Sequence, residues 1–166
     1  MGSIEGRVGG SFDGFDVSVT VEDGGTSISG RIGGVFRGGD IKLHINQDQI
    51  EGRLGGMLHG QSLSGEFGKE SFAGRIGGGV LGKEIWLMHT NNQIEGRVGG
   101  ESLGFSCLLY YDAALETLTG RLGGEVIGHS VELKVSGASP LLAALLAVLT
   151  YHYHQFSSRS NAAPHQ

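Results

Sequence analysis

Apolar residues fall at alternate positions along most of the first 137 residues of this chain, and glycine takes many of the places between them. In the first stretch Ile4, Gly6, Val8, Gly10 and Phe12 share one parity, while Glu5, Arg7, Gly9, Ser11 and Asp13 share the other. A period of two marks a β-strand with one buried face. The next stretch alternates likewise through Phe15, Val17, Val19 and Val21, and a later one through Ile41, Leu43 and Ile45. Polar clusters such as Glu22-Asp23-Gly24-Gly25, Asn46-Gln47-Asp48-Gln49 and Thr90-Asn91-Asn92-Gln93 read as turns between these units. No proline occurs before Pro140, as expected where most backbone N–H groups serve ladders.

The alternation belongs to a repeat. Gly-Arg-(Val/Ile/Leu)-Gly-Gly-x-x-x-Gly occurs six times, opening at Gly6, Gly30, Gly52, Gly74, Gly96 and Gly120 and closing at Gly14, Gly38, Gly60, Gly82, Gly104 and Gly128. Each copy predicts two strands, so about twelve in all. The inward glycines predict a tightly curved core that a neighbouring backbone can approach closely, and the Gly-Gly pair allows a bend in mid-strand. Copies one, three and five begin Ile-Glu-Gly-Arg at Ile4, Ile50 and Ile94, whereas the others begin at Ile28, Phe72 and Leu118 with different second residues. The larger unit is therefore four strands, present three times. This pseudo-threefold order predicts an all-β closed fold, either trefoil, prism or barrel, with a β-solenoid as the alternative. Parallel stacking would bring the repeat arginines together roughly 4.8 Å apart, with like charges adjacent, and a meander would not.

Residues 139–155 have another character. Ser139-Pro140 has the form of an N-cap followed by proline at the first helical position. Leu141 to Leu149 is apolar on all sides and has high helix propensity, which predicts a buried helix that caps the β domain, plugs it, pairs with another subunit or lies on a membrane. The expected organisation is a β domain over 1–138, the helix over 139–155 and a disordered tail over 156–166.

Composition narrows the roles. Only 17% of residues are charged and the net charge is −5, which argues against nucleic acid as a partner. One cysteine, Cys107, excludes an internal disulfide framework, and its apolar neighbours Phe105, Leu108 and Leu109 predict a small buried side chain. The chain does not open on a basic segment followed by an apolar one, so the cytoplasm is the default expectation for its compartment. Leu141–Leu149 is too short to span a bilayer, and outward positions such as Glu5, Arg7, Ser29 and Arg31 are polar for a lipid-facing wall.

Candidate chemistry is sparse. The histidines lack metal-ligand spacing except His152 and His154, and no metal site, cofactor or catalytic residue is expected. The glycine motif lacks the Lys-Ser/Thr of a phosphate-binding loop and precedes no helix. Six of the eight arginines occupy one repeat position: Arg7, Arg31, Arg53, Arg75, Arg97 and Arg121. A guanidinium offers planar bidentate hydrogen bonds, either to a ligand's carboxylate, sulfate or hydroxyl groups or to the turn carbonyls or acidic neighbours of the next copy. Trp86 and the pair Tyr110-Tyr111 interrupt the repeat and are candidates for a unique contact, with core filling as the alternative for Trp86. The expected protein is a non-catalytic, multivalent binding module for a carbohydrate or anionic ligand. The alternatives are a self-assembling, fibre-forming subunit joined through the helix or a strand edge, and a membrane-active barrel.

Overall fold

A computed structural model describes residues 1–10, 13–34, 37–55, 60–77, 82–100, 104–123 and 128–162, with side chains of the last helix to residue 155. Each copy contributes one hairpin. The strands are β1 (Gly2–Gly9), β2 (Gly14–Glu22), β3 (Ser27–Gly33), β4 (Gly38–Asn46), β5 (Gln49–Leu54), β6 (Gln61–Phe67), β7 (Ser71–Ile76), β8 (Lys83–Thr90), β9 (Gln93–Val98), β10 (Phe105–Asp112), β11 (Thr117–Gly123) and β12 (Gly128–Ser136). Each strand pairs antiparallel with its sequence neighbours, and β1 pairs with β12 from Ser3↔Ser136 to Val8↔Val131. The twelve strands thus form one closed barrel, neither trefoil nor prism nor solenoid, and leave no strand edge open. A meander strand separates successive repeat arginines, which avoids the like-charge column of a stacked arrangement.

The Gly-Gly pair opens the hairpin loop and does not bend a strand in its middle. Its first glycine has positive φ in all six copies, from 81° at Gly99 to 133° at Gly33, a conformation that side-chain-bearing residues rarely adopt. The strand ends there, and the ladder resumes at the closing glycine, as in Gly9↔Gly14 and Gly33↔Gly38. The threefold order resides at the opposite end. Junctions from even to odd copies are two-residue turns, Gln47-Asp48 and Asn91-Asn92, whose first residues have φ of 59° and 56°. Junctions from odd to even copies are longer, with Asp23–Gly25 forming a turn of 3-10 helix in the first of them.

The helix α1 (Pro140–Ala162) plugs the barrel. It extends past residue 155, so 156–162 are helical and not a disordered tail; residues 163–166 lie outside the described ones. Leu141 to Leu149 are all buried, together with Tyr151 and Tyr153, in one core with the inward residues of every strand. Barrel and helix are therefore one folding unit. Ser139 caps the helix as its sequence predicts, its Oγ accepting from Leu142 N–H at 3.1 Å.

The number of copies suits this plug. Following the paired residues once around the ring returns to β1 displaced by about twelve positions, a shear that for twelve strands gives a tilt near 37° and a wall radius of about 10–11 Å. A helix with side chains is about 10–12 Å across, so one helix fills the lumen once the inward side chains are in place. Strands of this length at that tilt span about 21 Å, the length of α1 from Pro140 to His154.

Candidate functional site

The repeat arginines face outward on alternate strands around the wall, and most are engaged by the partner nine residues on, across their own hairpin. Arg7 Nη1 donates to Asp16 at 2.8 Å, Arg53 to Ser62 at 3.1 Å and Arg97 to Ser106 at 2.9 Å. Arg75 pairs with Glu84, and Arg31 lies 3.9 Å from Asp40. Arg121 faces Ser130 in the same register. Turn carbonyls three residues on take a second bond, Arg7 Nε to Gly10 O at 2.9 Å and Arg97 Nη2 to Gly100 O at 2.8 Å. Arg7 and Arg97 thus tie their own glycine loops to the second strand of the same copy, whereas the sequence pointed to the next copy. Exposed ties of this kind contribute about 0–1 kcal/mol each.

Trp86 also faces outward and is 47% exposed. It lies directly across from Arg97 on β9, so two candidates from different copies are neighbours. Around them the wall changes character. Met88 and Leu108 flank Glu95, and Tyr110 stands between Gln93 and Thr119. Among the described residues, the exposed large apolar side chains are Met1, Trp86, Met88, Leu108, Tyr110 and Leu115. Four lie on the outer face of β8 and β10, and Leu115 follows in the next turn. A shallow depression lined by Asn92, Tyr110, Asp112 and Thr119 adjoins them. Tyr111 points the other way, half-buried against the core.

A second cluster sits where α1 reaches the glycine-loop end of the lumen. The residues after five of the six closing glycines meet helix side chains at this level of the lumen, around positions 151–154. Tyr151 packs between Phe105 and His129 at ring separations of 4.4 and 5.1 Å. His152 Nε2 lies 2.7 Å from Gln61 Oε1. Gly39 leaves room for Tyr153, whose hydroxyl would touch a Cβ there and donates to Gly38 O at 3.2 Å. His154 meets Phe15 edge-on at 4.8 Å.

His152 and His154 therefore point into different surroundings and form no chelating pair, since positions two apart in a helix face different ways. His154 instead joins residues that the linear sequence does not associate with it. Its Nε2 lies 2.9 Å from Asp13 Oδ1, and His129 Nε2 lies 3.5 Å from Asp13 Oδ2. Desolvation is the largest influence on His154 and lowers its pKa from the ordinary value, while Asp13 acts in the opposite direction.

Cys107 lies in the core wall on β10, and burial pushes its thiol up to about 12. Native protein at pH 8 is expected to react with a disulfide reagent at least about a hundredfold more slowly than unfolded chain, because little thiolate forms. Equal rates would show that the wall around Cys107 opens readily. Comparison of the chain with protein-family models, with curated proteins and with solved structures gave no match.

Proposed function

We propose that this is a non-catalytic binding protein, in which the plugged barrel is a rigid scaffold and the outer face of β8–β10 is the recognition surface, with a carbohydrate as ligand. The observation that carries the reading is the gathering of Trp86, Met88, Leu108 and Tyr110 on one side of an otherwise polar wall. Apolar residues scattered over a surface need no explanation, but four gathered on two strands one strand apart do. Flat aromatic faces such as Trp86 and Tyr110 suit the C–H faces of a sugar ring, and Arg97, Glu95, Gln93, Asn92 and Thr119 beside them supply donors and acceptors for its hydroxyls. Because most of the repeat arginines are held by their own hairpins, one asymmetric site is favoured over six equivalent pockets.

The alternative is self-association. Its two expected routes are used inside the molecule, since β1 and β12 close on each other and the apolar helix fills the lumen. Assembly would have to use this same outer patch. The membrane-active reading is disfavoured by the exposed Glu5, Asp16, Ser29, Arg31, Lys42 and Glu51 around the wall. No helix among the described residues is long and apolar enough to cross a membrane.

Trp86 is the only tryptophan, so its fluorescence reports the patch directly. Titration with a panel of neutral and acidic oligosaccharides is expected to shift the emission for at least one class. Trp86→Ala should weaken that binding about tenfold or more, measured by calorimetry. A panel without response, alongside light scattering that shows a dimer dispersed by Leu108→Ser, would overturn the carbohydrate reading in favour of self-association.

A further inference from the structure

We propose that Asp13, His129 and His154 bind one divalent transition-metal ion of the zinc class, and that the ion pins α1 to the seam where the barrel closes. The three residues come from three separate elements. Asp13 precedes β2 in the first glycine loop, His129 is the second residue of β12, and His154 lies on α1 where the helix reaches the glycine-loop end of the lumen. Each offers one ligand atom, and these atoms all lie within 4.8 Å of one another.

The spacing fits the chemistry. Two imidazole nitrogens and a carboxylate oxygen at about 2.0–2.2 Å from a tetrahedral ion stand roughly 3.3 Å apart. The carboxylate lies 2.9 Å from one imidazole and 3.5 Å from the other, so small rotations about the side-chain bonds complete the set. Two nitrogens and one oxygen suit zinc and its neighbours, whereas calcium and magnesium take oxygen ligands. The imidazoles are largely withdrawn from solvent, with side-chain exposures of 8% for His154 and 17% for His129, and they are packed edge-on against Phe15 and Tyr151. Asp13 is 70% exposed, which leaves an entry path and a fourth position for water.

The repeat supplies an independent argument. At the place of Asp13 the other copies carry Arg37, His59, Leu81, Leu103 and Ile127, and at the place of His129 they carry Phe15, Gly39, Gln61, Lys83 and Phe105. An acid occurs at the first position only in copy one, and a histidine at the second only in copy six. These are the two copies that close the ring. The ligands diverge from the repeat where an ion could join the first copy, the last copy and the helix together.

The test uses the whole chain, stripped with a chelator, desalted and titrated with Co²⁺ while the visible spectrum is followed, then with Zn²⁺ by calorimetry. One equivalent is expected to bind with intense d–d bands characteristic of four-coordination, displaced by zinc. Asp13→Ala, at an exposed position, should keep the far-ultraviolet circular dichroism of the native protein and weaken binding at least about tenfold. His154→Ala and His129→Ala should abolish the Co²⁺ bands, and His152→Gln should leave them. Zinc should raise the thermal midpoint of the native chain clearly more than that of Asp13→Ala, a readout that holds even if a histidine variant folds poorly. Absence of Co²⁺ bands would overturn the proposal and leave Asp13 and His154 as close neighbours without an ion. Tight binding that survives both Asp13→Ala and His154→Ala would also overturn it, by placing the ion on other histidines.

Discussion

Truncation after Ser139 is expected to abolish cooperative folding. Residues 140–154 supply five leucines, a valine, three alanines and two tyrosines to the core, nearly all less than 8% exposed. Burial of each leucine stabilises the fold by about 1.5–3 kcal/mol, an upper estimate against a compact unfolded state. The loss is on the order of 10 kcal/mol, comparable with the whole stability of a typical domain. The barrel wall cannot compensate by collapse, because its radius is fixed by strand number and shear. Residues 1–139 should therefore show exposed apolar surface by dye binding and no sharp thermal transition. Addition of a synthetic peptide covering 139–162 should restore the native spectrum in part. A truncated chain that kept a cooperative transition near that of the full protein would show that the wall stands without its plug.

The second large effect concerns the first glycine of the motif. A Cβ at Gly96 would lie 2.0 Å from Trp86 O and 2.8 Å from Leu87 Cδ2, and the same clash with a neighbouring carbonyl recurs at Gly6, Gly30, Gly52 and Gly120. The obstacle is backbone held in a ladder, so relief requires two strands to move apart. Gly96→Ala is expected to cost about 3 kcal/mol, within the range for overpacking in a close-packed core. Gly100→Ala is the matched control, since among the described residues nothing lies within 4 Å of its added methyl. It should change stability by no more than about 0.5 kcal/mol. Denaturant midpoints with unchanged slopes would measure both. Equal midpoints for the two variants would mean that the inward glycines serve the loops and not the close approach of strands.

Most of the local structure was legible in the sequence. The period of two located the strands, because the two faces of a pleated strand meet different solvents. Ser139-Pro140 located the helix start, since the cap is a bond between neighbours in sequence. The burial of Cys107 followed from its apolar surroundings. Strand ends were less clear. Alternation continues through Phe12, yet β1 stops at Gly9, where positive φ turns the chain. Alternation records which way side chains would point and is indifferent to where the ladder ends.

The candidate sites divide on the same line. Trp86 was visible as a break in the repeat, but its adjacency to Arg97 and the company of Met88, Leu108 and Tyr110 depended on strand register. The gathering of Asp13, His129 and His154 had no local signal, because the three are far apart in the chain and only ring closure joins the first copy to the last. A departure from the repeat at both 13 and 129 was the available clue, and it acquires meaning only when the two copies are known to be neighbours.

The sequence by itself determined the six hairpins, the inward and outward faces, the difference between odd and even copies and the presence of one all-apolar helix. These depend on backbone preferences and on the partition of side chains between water and a core, which act over a few residues. Only the tertiary structure decided that twelve strands close on themselves, that the helix lies inside them, and which side chains of distant copies surround its end. Those outcomes follow from the tilt and shear of the whole ring, which set a lumen about one helix wide.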